Sequence, residues 1–401
     1  MPDFDTLIIG AGLMGSAAAR YLSQESKSVA LLGPDEPANP ETHPGVFASH
    51  YDEGRLTRQI SRDPVWSALA RLAIAQYRPL EAASGIPFYN PVGMLVVDSD
   101  RMTSHMKADL TWARETGIDF TFYPAGDTRW QTLFPAYHFP SDYWVLHEPA
   151  PAGMINPRAM LRAQLAVAEK QGTARIRDIA RDVFPRADSV LVTTQAGAQI
   201  HAQKVIIAAG AFSHLFNLLP PLGLYAETET IILAEVDEPT ARAHASLPTL
   251  IYFVDDPEID DIYLTPPLRY PDGRFYIKMG ANTKSDQFPK TLEEVQRWFR
   301  TGNSDLHKAA FERALQAILP GIRFHSFHTK RCILCRTPSG KPIVDQVSER
   351  VFVATGGNGE GAKSSDALGR LVAGLVLGWD WPGEVPREAF RVRNFVPKEI
   401  T

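Results

Sequence analysis

The 401 residues carry 41 Lys plus Arg against 46 Asp plus Glu, a formal charge of -5, with 44% hydrophobic and 22% charged side chains. This balance excludes a global basic field, so nucleic acid is not an expected partner, and the composition is that of a globular chain long enough for two domains. Two cysteines, Cys332 and Cys335, make no disulfide framework and lack the further ligands of a zinc site, and no run reaches the ~20 apolar residues of a membrane span.

Residues 1–5 enter a strand without a basic and apolar leader, so the expected setting is cytoplasmic, with no membrane contact. Thr6-Leu7-Ile8-Ile9 reads as a strand, Gly10-Ala11-Gly12-Leu13-Met14-Gly15 as a turn, 16–24 as a helix and 28–32 as a second strand. That is a complete βαβ unit. Gly10 permits the tight turn, Gly12 lets a pyrophosphate approach the backbone, and Gly15 allows close helix packing, so a dinucleotide site is expected. The acidic residue expected at the second strand's end is missing. The strand closes Leu31-Leu32-Gly33-Pro34, which leaves the ribose to Asp35, to Glu36 or to backbone and water, and leaves NAD and FAD both open.

Beyond it, 34–44 is a proline-rich loop placed to pass over a ligand, and a helix is expected over 66–80. A strand at 91–97 and a helix over 102–115 lead into 120–144, an aromatic segment that suits either a pocket wall or irregular core. Asn156-Pro157 reads as the N-cap and first residue of a helix through 171. Strands follow at 190–194 and 204–211, then a strand-rich block over 228–283, helices at 292–299 and 304–318, a strand at 350–355 and a helix over 365–377. The chain thus returns to complete its first domain. The expected fold class is α/β and α+β, with a split Rossmann-like domain over 1–90, 150–222 and 328–401. A second domain on a large mixed sheet takes 91–149 and 223–327.

Four further features stand out. Arg55 and Arg58 are three apart, a spacing that suits one face of a helical turn, solvated or functional. Lys278 is a lone charge in the apolar run Phe275-Tyr276-Ile277-Lys278-Met279, either an edge-strand lysine or a buried one with a task. Cys332 follows Lys330-Arg331, cations that would favour its thiolate. Gly356-Gly357-Asn358-Gly359-Glu360-Gly361-Ala362-Lys363 is a very flexible turn leading into a helix.

Taken with the N-terminal fingerprint, these features resemble the FAD-dependent amine oxidases of the monomeric sarcosine oxidase and N-methyltryptophan oxidase type, in the D-amino-acid oxidase superfamily. The resemblance spans almost the whole chain and is loosest over 120–144. It implies FAD in a split domain, with the substrate between the domains over the flavin ring. It implies covalent attachment at Cys332, with Thr337 completing the motif; Cys335 is the spare thiol, and noncovalent FAD beside two core thiols is the alternative. It also implies Arg55 beside the flavin, Arg58 and Lys363 on a substrate carboxylate, and Lys278 near flavin N5 on the oxygen side. Gly357, Asn358, Gly359, Gly361 and Lys363 fall at the flavin carbonyl edge, and Tyr263 in the substrate pocket. Three positions depart from the family pattern: Asn282 and Glu360 stand where it has histidines, and Tyr51 where histidine is frequent. Glu360 replaces a cation with an anion, which argues against sarcosine itself and makes Glu360 a candidate for recognising the amine.

The reaction implied is oxidation of a secondary amine, an N-substituted amino acid, to an imine that hydrolyses, with dioxygen reduced to hydrogen peroxide by a monomeric enzyme. A flavin dehydrogenase using another electron acceptor, an NAD-dependent enzyme and a non-catalytic dinucleotide binder are the competing readings.

Overall fold

The computed structural model describes residues 2–26, 28–61, 63–99, 104–216 and 218–393. Phe4–Ile9 and Val29–Leu32 pair in parallel, joined by the helix Leu13–Glu25. Leu7, Ile8, Leu31 and Leu32 are fully buried, as strands covered on both faces require. Gln199–Ile207 and then Val351–Thr355 continue the parallel pairing on one side, and Ala174–Ile176 on the other. Three antiparallel strands, Ala180–Pro185, Val190–Thr194 and Ile343–Ser348, complete an eight-stranded sheet.

Four helices, Leu13–Glu25, Pro64–Ser84, Pro157–Lys170 and Gly361–Leu377, cover one face of this sheet. Asn156 caps the third by accepting from the Ala159 amide, with Pro157 in its first turn. The first and last helices meet almost backbone to backbone, since a Cβ on Gly369 would strike the Ala17 side chain and lie 2.7 Å from the Ala18 nitrogen. A buried polar set fixes their register. Asp366 pairs with Arg20 at 2.6 Å and accepts from the Tyr21 hydroxyl at 2.7 Å and from Gln164 at 2.8 Å.

A second eight-stranded sheet runs in the order Phe327–Arg336, Tyr225–Val236, Phe275–Thr283, Ile259–Arg269, Thr249–Phe253, Met94–Ser99, Tyr143–Glu148, Thr121–Tyr123. Its pairing moves the expected boundary at 328. Phe327–Arg336, with both cysteines, is held to Tyr225–Val236 by a continuous antiparallel register, and the chain rejoins the first sheet only at Ile343–Ser348. Of the aromatic segment, Trp130, Tyr137 and Phe139 belong to the core of this second sheet. The helix expected from Met102 is described over Ser104–Glu115, Met102 lying outside the described residues, and the helix expected from 304 begins at Lys308.

A three-stranded sheet joins the two bodies, with Arg55–Thr57 and Tyr89–Asn90 on either side of Gly153–Ile155. This corrects the helical turn expected for the arginine pair. Arg55 faces Ile155 and Thr57 faces Gly153, so the segment is extended, with the buried Thr57 hydroxyl 3.2 Å from that of Tyr77. Among the described residues no helix is long and apolar enough to cross a membrane, and no group of three His, Cys, Asp or Glu could hold a metal ion.

Replacing Asp366 by Ala strands Arg20 in the helix layer without touching the cavity described below. The expected loss is about 3–5 kcal/mol of unfolding free energy, measured by urea denaturation against the parent chain.

Candidate functional site

A cavity of about 590 Å³ lies between the first and second sheets, within the size range of cofactor sites. At one end stands the glycine turn. Gly10 has φ 109°, and a Cβ there would collide with the Ala208 carbonyl. At Gly12 a Cβ would meet nothing nearer than His50 Nδ1 at 4.0 Å, so the space in front of it is open to a ligand. Gly12 is the N-cap of the helix and offers no side-chain cap, no acidic residue stands in the first turn, and Leu13 and Met14 line the cavity. Uncapped amides on the positive end of a helix suit a pyrophosphate.

The missing ribose carboxylate has a steric cause. A Cβ at Gly33 would lie 2.6 Å from the Ala11 nitrogen, so no acidic residue fits there without displacing the glycine turn. The expectation for Asp35 is corrected: its largely exposed carboxylate pairs with Arg177 at 2.7 Å and Arg175 at 3.2 Å and does not line the cavity. Glu36 is likewise turned away, onto Arg158 at 2.5 Å. His50, which no sequence signal marked, lines the cavity in its neutral form. Burial, then Arg158 and Arg55, lower its pKa to about 3.

Midway along the cavity lies a buried ionic cluster centred on Asp52, a residue to which the sequence reading assigned no role. Asp52 pairs with Arg55 and, at 2.6 Å, with Lys278, and it accepts from the Tyr270 hydroxyl at 2.8 Å. Burial opposes its charge, but Lys278 and Arg55 outweigh that and hold its pKa far below the usual carboxylate range. Lys278 is fully buried, donates to the Gly54 carbonyl at 2.8 Å, and sits 4.9 Å from the centre of the Tyr263 ring. Burial, then Arg55, lower its pKa to about 8. Lys278 stands behind the wall formed by Arg55 and Tyr263 rather than on the cavity surface.

Cys332 and Cys335 both line the cavity. The cations expected to activate Cys332 are not there: Lys330 lies over the Tyr270 ring and Arg331 donates to the Gly302 carbonyl at 2.6 Å. The charge near the thiol is Arg55, with Nη2 3.9 Å from Sγ. Burial, then Glu229, push the Cys332 thiol up to about 11. Cys335 contacts the Thr355 hydroxyl at 3.7 Å, against the first sheet.

The glycine turn after Val351–Thr355 forms the facing wall through Gly357, Asn358, Gly359 and Gly361. Asn358 has φ 47°, and its side chain locks the turn by accepting from the Thr337 amide at 2.8 Å and donating to the Gly356 carbonyl at 2.6 Å. Its side-chain role is thus to shape the turn, and Thr337 is the partner that makes this work.

At the far end Glu360 bridges the two cations assigned to a substrate carboxylate, Arg58 at 2.6 Å and Lys363 at 2.8 Å. Burial opposes its charge, but Arg58 and Lys363 outweigh it and lower the pKa to about 2. The Lys363 contact lies off the hydrogen-bonding direction, so it is electrostatic and leaves ammonium donors unused. Tyr263 and Asn282 also line the cavity, with Asn282 donating to Asp261 at 2.8 Å. Ile60, Val96, Leu146, Ile251 and Phe253 supply an apolar wall.

A family model described as FAD dependent oxidoreductase matches residues 5–375. The chain is 25% identical to a monomeric sarcosine oxidase from Bacillus sp. (strain B-0618), over 93% of this chain and 92% of that one. It is 21% identical to an N-methyl-L-tryptophan oxidase from Yersinia pestis (strain Pestoides F), over 98% and 100%. Among solved structures it is similar to NikD, described as an unusual amino acid oxidase essential for nikkomycin biosynthesis, with TM-score 0.72, 18% identity and full coverage of both chains. It is also similar to fructosyl amine:oxygen oxidoreductase (Amadoriase I) from Aspergillus fumigatus, with TM-score 0.73, 17% identity and coverage of 98% and 91%. These structural likenesses are of fold.

Asp52→Asn leaves Arg55 and Lys278 buried against each other. Unfolding in urea is expected to show a loss of about 3–5 kcal/mol, of which Asp52→Asn/Lys278→Met recovers part by removing the stranded ammonium.

Proposed function

As the chain belongs to the FAD dependent oxidoreductase family, we propose that it oxidises a secondary amine, an N-alkyl or otherwise N-substituted amino acid, to an imine that water hydrolyses, with hydrogen peroxide as co-product. The observation that carries this reading is the continuity of one cavity from the uncapped helix at Gly12 to the paired cations Arg58 and Lys363. The glycine cradle, close-packed at Gly10 and Gly33 and open in front of Gly12, fits the FAD pyrophosphate at Gly10, Gly12 and Gly15. Gly357, Asn358, Gly359 and Gly361 would hold the ring end opposite Cys332, the site of covalent attachment in this reading. When bound, FAD supplies the acceptor for the hydride equivalent and passes the electrons to dioxygen.

Arg58 spends Nη2 on Glu360 and keeps other donors, and two cations on one internal carboxylate leave a net positive site for one substrate carboxylate. Tyr263 stays protonated because burial raises its pKa well above the usual phenol range, so its hydroxyl is a donor in the wall. The apolar residues around Phe253 exclude water and receive the N-substituent. Both curated relatives are named for N-methyl amino acids; the apolar wall and Glu360 favour a bulkier member of that class than sarcosine. Arg55 and Lys278 on one Asp52 place two cations beside the cavity, where they stabilise negative charge developing on dioxygen.

A second reading is favoured by Lys278 itself, whose ammonium lies behind the wall, engaged by Asp52 and Gly54. It is a flavin dehydrogenase of the same substrates using another electron acceptor, distinguished by slow oxygen uptake during turnover.

Anaerobic addition of N-methyl and cyclic amino acids to the purified yellow protein is expected to bleach the flavin absorbance, whereas the corresponding amines without a carboxylate bleach it slowly. Bleaching by none of the panel contradicts the assignment. Because Lys278 carries its proton below about pH 8 and loses it above, reoxidation by oxygen is expected to slow as pH rises through 8. Lys278→Met is expected to reoxidise about 100-fold more slowly without that pH dependence, while its anaerobic reduction changes far less in stopped-flow traces.

A further inference from the structure

Glu229 is a carboxylate for which the reaction above has no use. It lies in Tyr225–Val236 directly opposite Cys332 on Phe327–Arg336, so the two side chains share one face of the sheet, with Cβ atoms roughly 5 Å apart. It lines the cavity, is only 6% exposed, and its side chain has no hydrogen-bond or ion-pair partner among the described residues. Its charge is felt by Arg55, Lys278 and Cys332, and a buried carboxylate that faces a ligand cavity with no contact partner points to a task.

Resting on the reading that Cys332 carries the flavin, we propose that Glu229 is the proton acceptor that ionises the Cys332 thiol as the thioether bond to the cofactor forms. The neighbours leave it that role. Arg55, 3.9 Å from Sγ, is a permanent cation that stabilises a thiolate and cannot take its proton. At neutral pH Lys278 is an ammonium on Asp52, and Tyr263 is held protonated by burial. Asp286, in the loop after Phe275–Thr283, is engaged by the Thr283 amide at 2.8 Å and hydroxyl at 3.1 Å. With the thiol pushed up to about 11, little thiolate exists at neutral pH, so attack needs a base acting as the bond forms.

In the attachment step the Cys332 S–H bond and one C–H bond of the flavin methyl group break and an S–C bond forms. The thiol proton would pass to Glu229 and the methyl proton to solvent, with the electron pair left on the isoalloxazine. Dioxygen would then take that pair, with the proton from Glu229 and one from solvent, as hydrogen peroxide, leaving Glu229 as it began.

The test uses full-length chain produced under riboflavin depletion and supplied with FAD. Flavin retained after acid denaturation and washing is followed against time from neutral pH to about pH 10, with noncovalent FAD binding measured in parallel. Wild type is expected to retain flavin and Cys332→Ala to lose it. Glu229→Gln is expected to bind FAD yet attach it about 100-fold more slowly at neutral pH, the gap closing toward pH 10 as the thiol ionises unaided. Glu229→Asp, which keeps a carboxylate and covers failure of the Gln variant to fold, is expected to attach within about tenfold of wild type. Attachment by Glu229→Gln at or above the wild-type rate, or by Glu229→Asp as slowly as expected for Gln, overturns the role of Glu229 while leaving Cys332 as the site. Absence of retained flavin in wild type, or its retention in Cys332→Ala, overturns the Cys332 reading instead.

Discussion

The site depends on one buried carboxylate. Asp52 receives Lys278 from the large mixed sheet, Arg55 from the small joining sheet and a hydroxyl from Tyr270. Lys278 is inaccessible to solvent, and an ammonium so placed is tolerable only against a fixed anion. By holding Arg55, Asp52 also determines which cation faces Cys332, and by holding Lys278 it sets what lies beneath the Tyr263 ring. The joining sheet thereby fixes the middle of the cavity relative to both larger sheets.

The far end follows the same rule with different residues. Arg58 and Lys363 share Glu360 as Arg55 and Lys278 share Asp52, and in each case two cations meet one carboxylate. Charges held in this way before a ligand arrives need little reorganisation when it binds. Glu360, with its pKa lowered to about 2, stays ionised near neutrality.

Local chemistry was legible in the sequence. The glycine turn, the Asn156-Pro157 helix start and the alternation of strands and helices all rest on contacts within a few residues, and all are present. The errors lie where a distant segment decides the outcome. Arg55 and Arg58 have helical spacing, but pairing with Gly153–Ile155, a hundred residues away, extends the segment. Asp35 remained a candidate for the ribose beside Glu36 and the backbone because its pairing with Arg175 and Arg177 is invisible in one dimension. Lys330 and Arg331 adjoin Cys332 in sequence, yet the contacts of their strand send them to Tyr270 and Gly302, and the nearby cation comes from Arg55. Asp52, Glu229 and His50 carry no local signature, since each acquires its role from residues or cavity walls brought together by the tertiary fold.

The central claim is that Arg58 and Lys363, arranged around Glu360, recognise the carboxylate of an N-substituted amino acid. Its most direct test is calorimetric binding of a non-oxidised N-substituted amino acid analogue and of its methyl ester to the flavin-loaded protein. The account predicts that the ester, which lacks the charge but keeps the shape, binds at least about tenfold more weakly, the worth of one charge-assisted hydrogen bond. Equal affinity for acid and ester would contradict it.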